Sequence, residues 1–270
     1  LMRTAYENAK ATDPTITILG VNTTTGGGGA QNFGGAEWTR GVVAAGGLDY
    51  CDVVCYHNYI SGKPGYPGDV CEKGFQVATG PIVERFGRLP KPVWMTEGSA
   101  GRDTIGPGFY RHTLPYPNTE DPMDTGDRLC RYVVSLLAQG VQKVFLYSMH
   151  SHSSLLAASE WRVLVTPEGM LHPSGAAHAA MAWQLEDTRF VKQWQVAEGV
   201  TAYLFEGEGR AVVAVSALPN ARPYVPPARP GLRVTDLFGN PVPNGQPVGH
   251  TLAYVSMAGS AAALEKALQP

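Results

Sequence analysis

Charge is scarce in this chain: 16% of its residues are Asp, Glu, Lys or Arg, against about a quarter in ordinary globular proteins. The 21 basic and 23 acidic residues nearly cancel, to a net −2. That balance excludes the electrostatic footprint of a nucleic-acid binder or of a protein held on an anionic membrane. No apolar run is long enough to span a bilayer. Cysteine is sparse too. Cys51, Cys55, Cys71 and Cys130 include no Cys-x-x-Cys pair, and no His/Cys cluster has ligand spacing, which argues against a zinc site. Cys55 lies in an apolar strand-like run and Cys130 in a helix-like one, so both read as buried free thiols. A bridge from Cys71 to Cys51 or Cys55 stays open on sequence alone. The glycine-rich loop at 26–29 lacks both a P-loop lysine and the spacing of a dinucleotide fingerprint, so it is no phosphate cradle. There is no internal repeat.

Hydrophobic residues are plentiful instead. They make up 44% of 270 residues, enough for a substantial core in one large domain or two smaller ones. The 32 glycines and 21 prolines imply many loops. Leu1-Met2-Arg3 is neither a usual start nor a signal peptide. Residues 6–10 read as the middle of a helix, so the chain is expected to be a piece of a longer or processed one.

The first part of the chain alternates strand and helix. A helix over 3–12 is ended by Asp13-Pro14, and a β-branched strand follows over 15–21. A helix over 37–45 stops at Gly46-Gly47, and a strand runs over 52–59. Residues 71–86 read as a helix that Gly80-Pro81 breaks or kinks. Val93-Trp94-Met95 is a short apolar strand that ends abruptly in Glu97, with Pro90 and Pro92 at its entry and Gly98 at its exit. Residues 102–124 form a long loop, a length that in a compact domain usually signals function. A helix over 125–139, a strand over 143–150 and a helix over 173–185 complete this part. Four strand–helix alternations imply a parallel sheet with crossover helices. Each strand begins apolar and ends polar, and sites in such folds lie at the strands' C-terminal edge. Beyond about residue 188 the pattern changes to short strands over 193–196, 200–206, 210–217, 232–236 and 252–257, with turns such as Glu208-Gly209 between them and a terminal helix or tail over 261–268. These predict a small antiparallel domain, a sandwich. Trp94 is expected in the core, and Trp183 and Trp194 at the junction of the two domains.

The order and spacing of these segments resemble the C-terminal half of a clan A retaining glycoside hydrolase, of family 39-like character. Asn8-Ala9-Lys10-Ala11-Thr12-Asp13-Pro14 with Ile16-Thr17-Ile18-Leu19-Gly20 looks like the helix after barrel strand four and then strand five. Asp52 to Tyr59 looks like strand six, Pro92-Val93-Trp94-Met95-Thr96-Glu97 like strand seven, and Val144-Phe145-Leu146-Tyr147-Ser148 like strand eight. Val234-Thr235-Asp236-Leu237-Phe238-Gly239-Asn240-Pro241 resembles the appended β-sandwich. The resemblance implies an α/β fold: half a (β/α)8 barrel of four βα units over 1–187, then a β-sandwich domain over 188–270. It also implies a retaining glycosidase that acts on a β-glycosidic bond and needs no metal or organic cofactor. The chain departs from the clan pattern at one point. The acid/base glutamate belongs to an Asn-Glu pair at the end of strand four, and no Asn-Glu pair occurs here. Barrel strands one to four are absent. The implied half barrel leaves strand edges open, so the expected partners are a carbohydrate substrate and either further copies of the chain or a separate chain carrying the other half.

Retaining hydrolysis uses two carboxyl groups about 5–5.5 Å apart. Glu97 is the expected nucleophile; read plainly, it is a solvated glutamate at a loop start. Glu160, on the loop after the fourth strand, is the candidate proton donor in this chain, and its plain reading is an exposed loop carboxylate. Asp103 and Asp121 are weaker candidates. His57 and Tyr59 alternate on their strand and so share a face, where each could bond the nucleophile or a sugar hydroxyl. Tyr147 and His150 end the fourth strand and are further candidates for substrate contact. Trp161 could form a stacking platform for a sugar ring. The rival reading is a non-catalytic carbohydrate-binding or assembly subunit that keeps Glu97 and the aromatics without an acid/base.

Overall fold

The apolar runs of the first part pair side by side as a parallel sheet. A computed structural model describes residues 1–24, 35–59, 67–100, 122–147, 149, 164–165, 169–218, 221–243 and 245–269. The chain divides into two compact units, Leu1–Ser99 with Ser135–Tyr147, and Ala100–Val134 with Ser148–Pro270.

The first unit holds β1 (Leu19–Thr24), β2 (Val53–Tyr59), β3 (Val93–Ser99) and β4 (Val141–Leu146), in that spatial order and all parallel. This is the half barrel of four βα units expected for strands five to eight. Helices α1 (Met2–Thr12), α2 (Gly35–Ala44) and α3 (Pro67–Phe86) alternate with the strands, and α4 (Pro122–Ala138) precedes β4. The expected strand over 15–21 is displaced to Leu19–Thr24. Asp13 accepts from the Thr15 amide and hydroxyl in a local turn, and β2 offers no ladder partner before Val53. Asp52 then ties the entry: its Oδ2 lies 2.8 Å from both Lys10 Nζ and the Ile18 amide nitrogen. The Lys10 hydrogen bond, reinforced by Ile18, holds the Asp52 carboxyl below its ordinary range.

Pro81 does not break α3, which runs through it. Pro81 and Ile82 are buried, so apolar packing outweighs the lost backbone bond. α4 begins at Pro122, three residues before the expected start, because proline is well suited to a first helical position. β4 begins earlier than expected, at Val141, where β3 supplies a partner in Val93.

Helices α2 and α3 cover one face of this sheet. Trp38 Nε1 donates to the Val21 carbonyl at 2.7 Å, and the Thr23 and Thr39 hydroxyls meet at 2.5 Å. The Tyr56 ring meets Phe75 edge-on at 6.3 Å. Trp94 is not the core residue expected. It sits half-buried on the opposite face, 5.9 Å from the Phe145 ring, with Lys143 Nζ 4.3 Å from its ring centroid. Phe145 is 46% exposed. Among the described residues, β1 and β4 each pair on one side only.

The second unit is built on β5 (Arg189–Ala197), β6 (Val200–Gly207), β7 (Arg210–Ala217), β8 (Arg233–Thr235) and β9 (Ala253–Ala258), an antiparallel sheet in the order β5-β6-β7-β9-β8. The expected strand over 193–196 is longer, since β5 pairs with β6 along Arg189–Ala197. Glu208-Gly209 makes the tight β6–β7 turn, with Gly209 at φ +69°, a backbone region that favours glycine. One sheet face packs Leu204, Val213 and Val255 with Leu264 of helix α6 (Ala261–Ala267), whose N-cap Ser260 accepts from the Ala263 amide. On the other face, Arg131 of α4 reaches Ser216 on β7. Cys51, Cys55 and Cys130 are free and buried, so neither bridge to Cys71 forms. Burial pushes the Cys51 thiol up to about 11.

Helix α5 (Pro173–Leu185) begins beside His172 and carries His178. Burial holds both imidazoles below their ordinary 6.5. The folded state then binds fewer protons than the unfolded chain just below that pH, so stability is fully present above 6.5 and is lost as pH falls through the depressed folded values. We expect the thermal midpoint to drop between about pH 7 and about pH 5, and to drop less in His178→Gln. Melting curves across that range check it; an unchanged slope in the variant would sink the assignment.

Candidate active site

Glu97 reaches its position through one extra residue. In β2, Tyr56 and Asn58 face the helices: Tyr56 meets Phe75, and Asn58 fills the space over Gly74, where a Cβ would stand 2.6 Å from Asn58 Oδ1. His57 and Tyr59, on the alternate positions, face the open side. Tyr56 pairs with Met95 of β3, but His57 pairs with Glu97, so Thr96 is an unpaired bulge residue. Without it, Glu97 would share Met95's side and point at the helices. The bulge turns the carboxylate to the open face instead.

On that face, Tyr59 Oη donates to Glu97 Oε1 at 2.5 Å. His57 Nδ1 stands 3.7 Å from Glu97 Oε2. The Glu97 side chain is 37% exposed and that of His57 23%, so the carboxylate is held on one side and accessible on the other. One oxygen is committed to the tyrosine. The other lies toward His57. Tyr147 follows β4, with its backbone N–H donating to the Gly98 carbonyl at 2.9 Å. Its position alternates with Phe145, which shares the open face with Trp94.

Asn22 carries no signal in the sequence that marks it for the site. It is the unpaired residue of a second bulge, between Val21 and Thr23 on β1. Val21 and Asn22 both have positive φ, +72° and +49°. This conformation is rare for valine and tolerated by asparagine. Asn22 is exposed, and its Oδ1 accepts from Cys55 Sγ at 3.7 Å, on the strand face of His57. Read locally, Gly20-Val21-Asn22 is an ordinary stretch of strand; only pairing with β2 reveals the bulge.

His57, Tyr59, Glu97 and Tyr147 therefore gather at the C-terminal ends of adjacent strands. His150, Glu160 and Trp161, with Asp103 and Asp121, lie outside the described residues. Glu97 is the sole carboxylate on the four strands. Among the described residues, no group of three His, Cys, Asp or Glu side chains could hold a metal ion.

The fold is that of half a glycoside hydrolase barrel with its appended antiparallel sheet. It is similar to a family 39 glycoside hydrolase from the gut symbiont Bacteroides cellulosilyticus (TM-score 0.64, 17% identity, 95% of this chain and 54% of that one). It is also similar to a family 86 β-porphyranase from Bacteroides plebeius (TM-score 0.55, 12% identity, 95% and 50%). A family 30 endoxylanase from Clostridium papyrosolvens gives a TM-score of 0.52 at 12% identity, over 96% and 60%. The chain thus spans roughly half the length of the solved structures it resembles. No family model and no curated protein matches its sequence.

Proposed function

We propose that this chain carries the nucleophile half of a retaining β-glycosidase, with Glu97 as the nucleophile. The observation behind this reading is the carboxylate turned to the open face beside Tyr59 and His57. Glu97 Oε2 attacks the anomeric carbon, and the bond to the leaving oxygen breaks as an acid protonates it. A glycosyl ester on Glu97 results. Water, deprotonated by the same acid/base, then attacks that carbon and releases the sugar and the free carboxylate. Tyr59 holds Oε1 and orients the attacking oxygen. His57 and Tyr147 contact sugar hydroxyls. No metal or organic cofactor enters these steps.

The proton donor comes from outside the four strands. Glu160 is the candidate within this chain. The alternative source is a second copy or a separate chain that pairs with the open edges of β1 and β4 and completes the barrel. Solution mass, with a search for a co-purifying chain, separates these sources. Monomeric protein that still turns over an aryl glycoside, and loses that turnover in Glu160→Gln, would favour Glu160.

Tyr59→Phe removes one hydrogen bond to a charged group. We expect kcat/KM on an activated aryl β-glycoside to fall roughly 10- to 100-fold, with little change in thermal midpoint. Unchanged kinetics would remove Tyr59 from the site. The second reading is a non-catalytic carbohydrate-binding subunit, favoured by the lone carboxylate on the four strands. It requires saccharide binding that survives Glu97→Gln and no burst of aryl release from the unmodified protein.

A further inference from the structure

Trp183 is 71% exposed near the C-terminal end of α5. It borders an open cleft of about 870 Å³ on the second unit, formed by α5 and strands β7, β9 and β8. The sheet register explains the floor. Arg233 pairs with Ser256, and Ser256 with Val212, so these three stand in a row across β8, β9 and β7. Two residues along each of β9 and β7, Arg210 pairs with Ala258 on the same face. Small and short side chains between the two arginines leave the floor low. Gln184 Nε2 donates to Thr235 Oγ1 at 3.3 Å, which brings the end of α5 to β8.

The chemistry of this lining is one-sided. Arg210 and Arg233 line the cleft and no Asp or Glu does, in a chain whose net charge is −2. The Arg210 guanidinium donates to the Glu186 backbone carbonyl, which positions it without neutralising it. Arg233 is exposed and has no ion-pair partner among the described residues. A guanidinium presents paired donors to planar or tetrahedral oxyanions. An exposed indole offers a flat apolar face, and Gln184, Thr235 and Ser256 offer hydroxyl and amide groups for a polyhydroxylated ligand.

We propose that this cleft is a saccharide-binding site distinct from Glu97, and that it takes an anionic sugar residue: the acidic group on Arg233 and Arg210, the apolar ring face on Trp183. A carboxylate of a uronic acid and a sulfate ester share this chemistry. The site does not rest on the reading of Glu97 as a nucleophile.

The test is calorimetric titration of the full chain with three oligosaccharides of equal length: an oligogalacturonate, a sulfated galactan oligosaccharide and a neutral xylo-oligosaccharide. At least one anionic oligosaccharide should bind at least about tenfold more tightly than the neutral one and should weaken with added salt. Which anion binds better assigns the carboxylate or the sulfate. Trp183→Ala and Arg233→Ala should each weaken binding by roughly tenfold or more, with Arg233→Lys intermediate. Both side chains are exposed, so unchanged melting curves establish that the variants remain folded. Glu97→Gln should leave this binding unaltered, which separates this proposal from the catalytic one. Equal binding of the neutral sugar overturns the proposal, as does indifference to both substitutions. So does equal, Trp183-dependent binding of oligoglutamate, which would mark the cleft as a site for acidic peptide.

Discussion

Replacing Glu97 by glutamine is expected to lower kcat/KM for an activated aryl β-glycoside by roughly 10⁴-fold, equivalent to about 5.5 kcal/mol of lost transition-state stabilisation. The substitution keeps the side-chain shape, and an amide oxygen still accepts from Tyr59. What it removes is the negative charge and the ability to form a glycosyl ester. A good aryl leaving group needs little protonation, so the measurement isolates the carboxylate rather than the acid. A shorter variant, Glu97→Ala, opens space beside Tyr59 and His57. Azide added to it should restore aryl release and give a glycosyl azide of inverted configuration, since the anion attacks from the face Glu97 occupied. Turnover that survives Glu97→Gln unchanged, or a covalent adduct trapped on another residue, would sink the nucleophile assignment.

Arg131→Ala is expected to destabilise the second unit by about 3–5 kcal/mol, which corresponds to a fall in thermal midpoint on the order of 10 °C. The Arg131 side chain is 4% exposed and that of its partner Asp127 15%. Nε donates to Asp127 Oδ2 at 2.6 Å. Nη1 donates to Ser216 Oγ at 2.5 Å and the Ala217 carbonyl at 2.9 Å; Nη2 reaches the His250 carbonyl at 3.1 Å. Asp127 Oδ1 in turn accepts from the Leu252 amide. One side chain thus ties α4 to the end of β7 and to the segment before β9. Truncation leaves a mostly buried carboxylate without its cation and takes the guanidinium donors from several acceptors at once. Arg131→Met with Asp127→Leu should recover only part of the loss, because the backbone carbonyls still lack those donors. A double-mutant cycle measures the coupling. A loss below about 1 kcal/mol for Arg131→Ala would show that water replaces the network.

The site itself was partly legible. His57 and Tyr59 were expected on one face because period-two alternation needs no knowledge of the partner strand, and both stand beside Glu97. Glu97 was expected at a strand end because an apolar run stops there. Its direction was another matter. Counting from Met95 puts Glu97 on the helix side; the bulge at Thr96 reverses that, and no residue type in Met95-Thr96-Glu97 announces it. Asn22 was missed for the same reason. Trp94 was expected in the core because aromatic residues within strands usually are buried. The open face of the half barrel leaves it half-covered beside Phe145 and Lys143.

By itself the sequence determined the order of the elements, the parallel first sheet and the antiparallel second one, and the polar ends where a site would gather. These follow from apolar periodicity, turn residues and segment lengths, all of which act between near neighbours in the chain. The tertiary structure alone decided the sides on which Glu97 and Asn22 emerge, the continuity of α3 through Pro81, the Arg131 network, and the two-arginine cleft beside Trp183. Each depends on pairing register or burial between residues far apart in the chain, and a one-residue shift in register reverses a side chain's face without altering local composition.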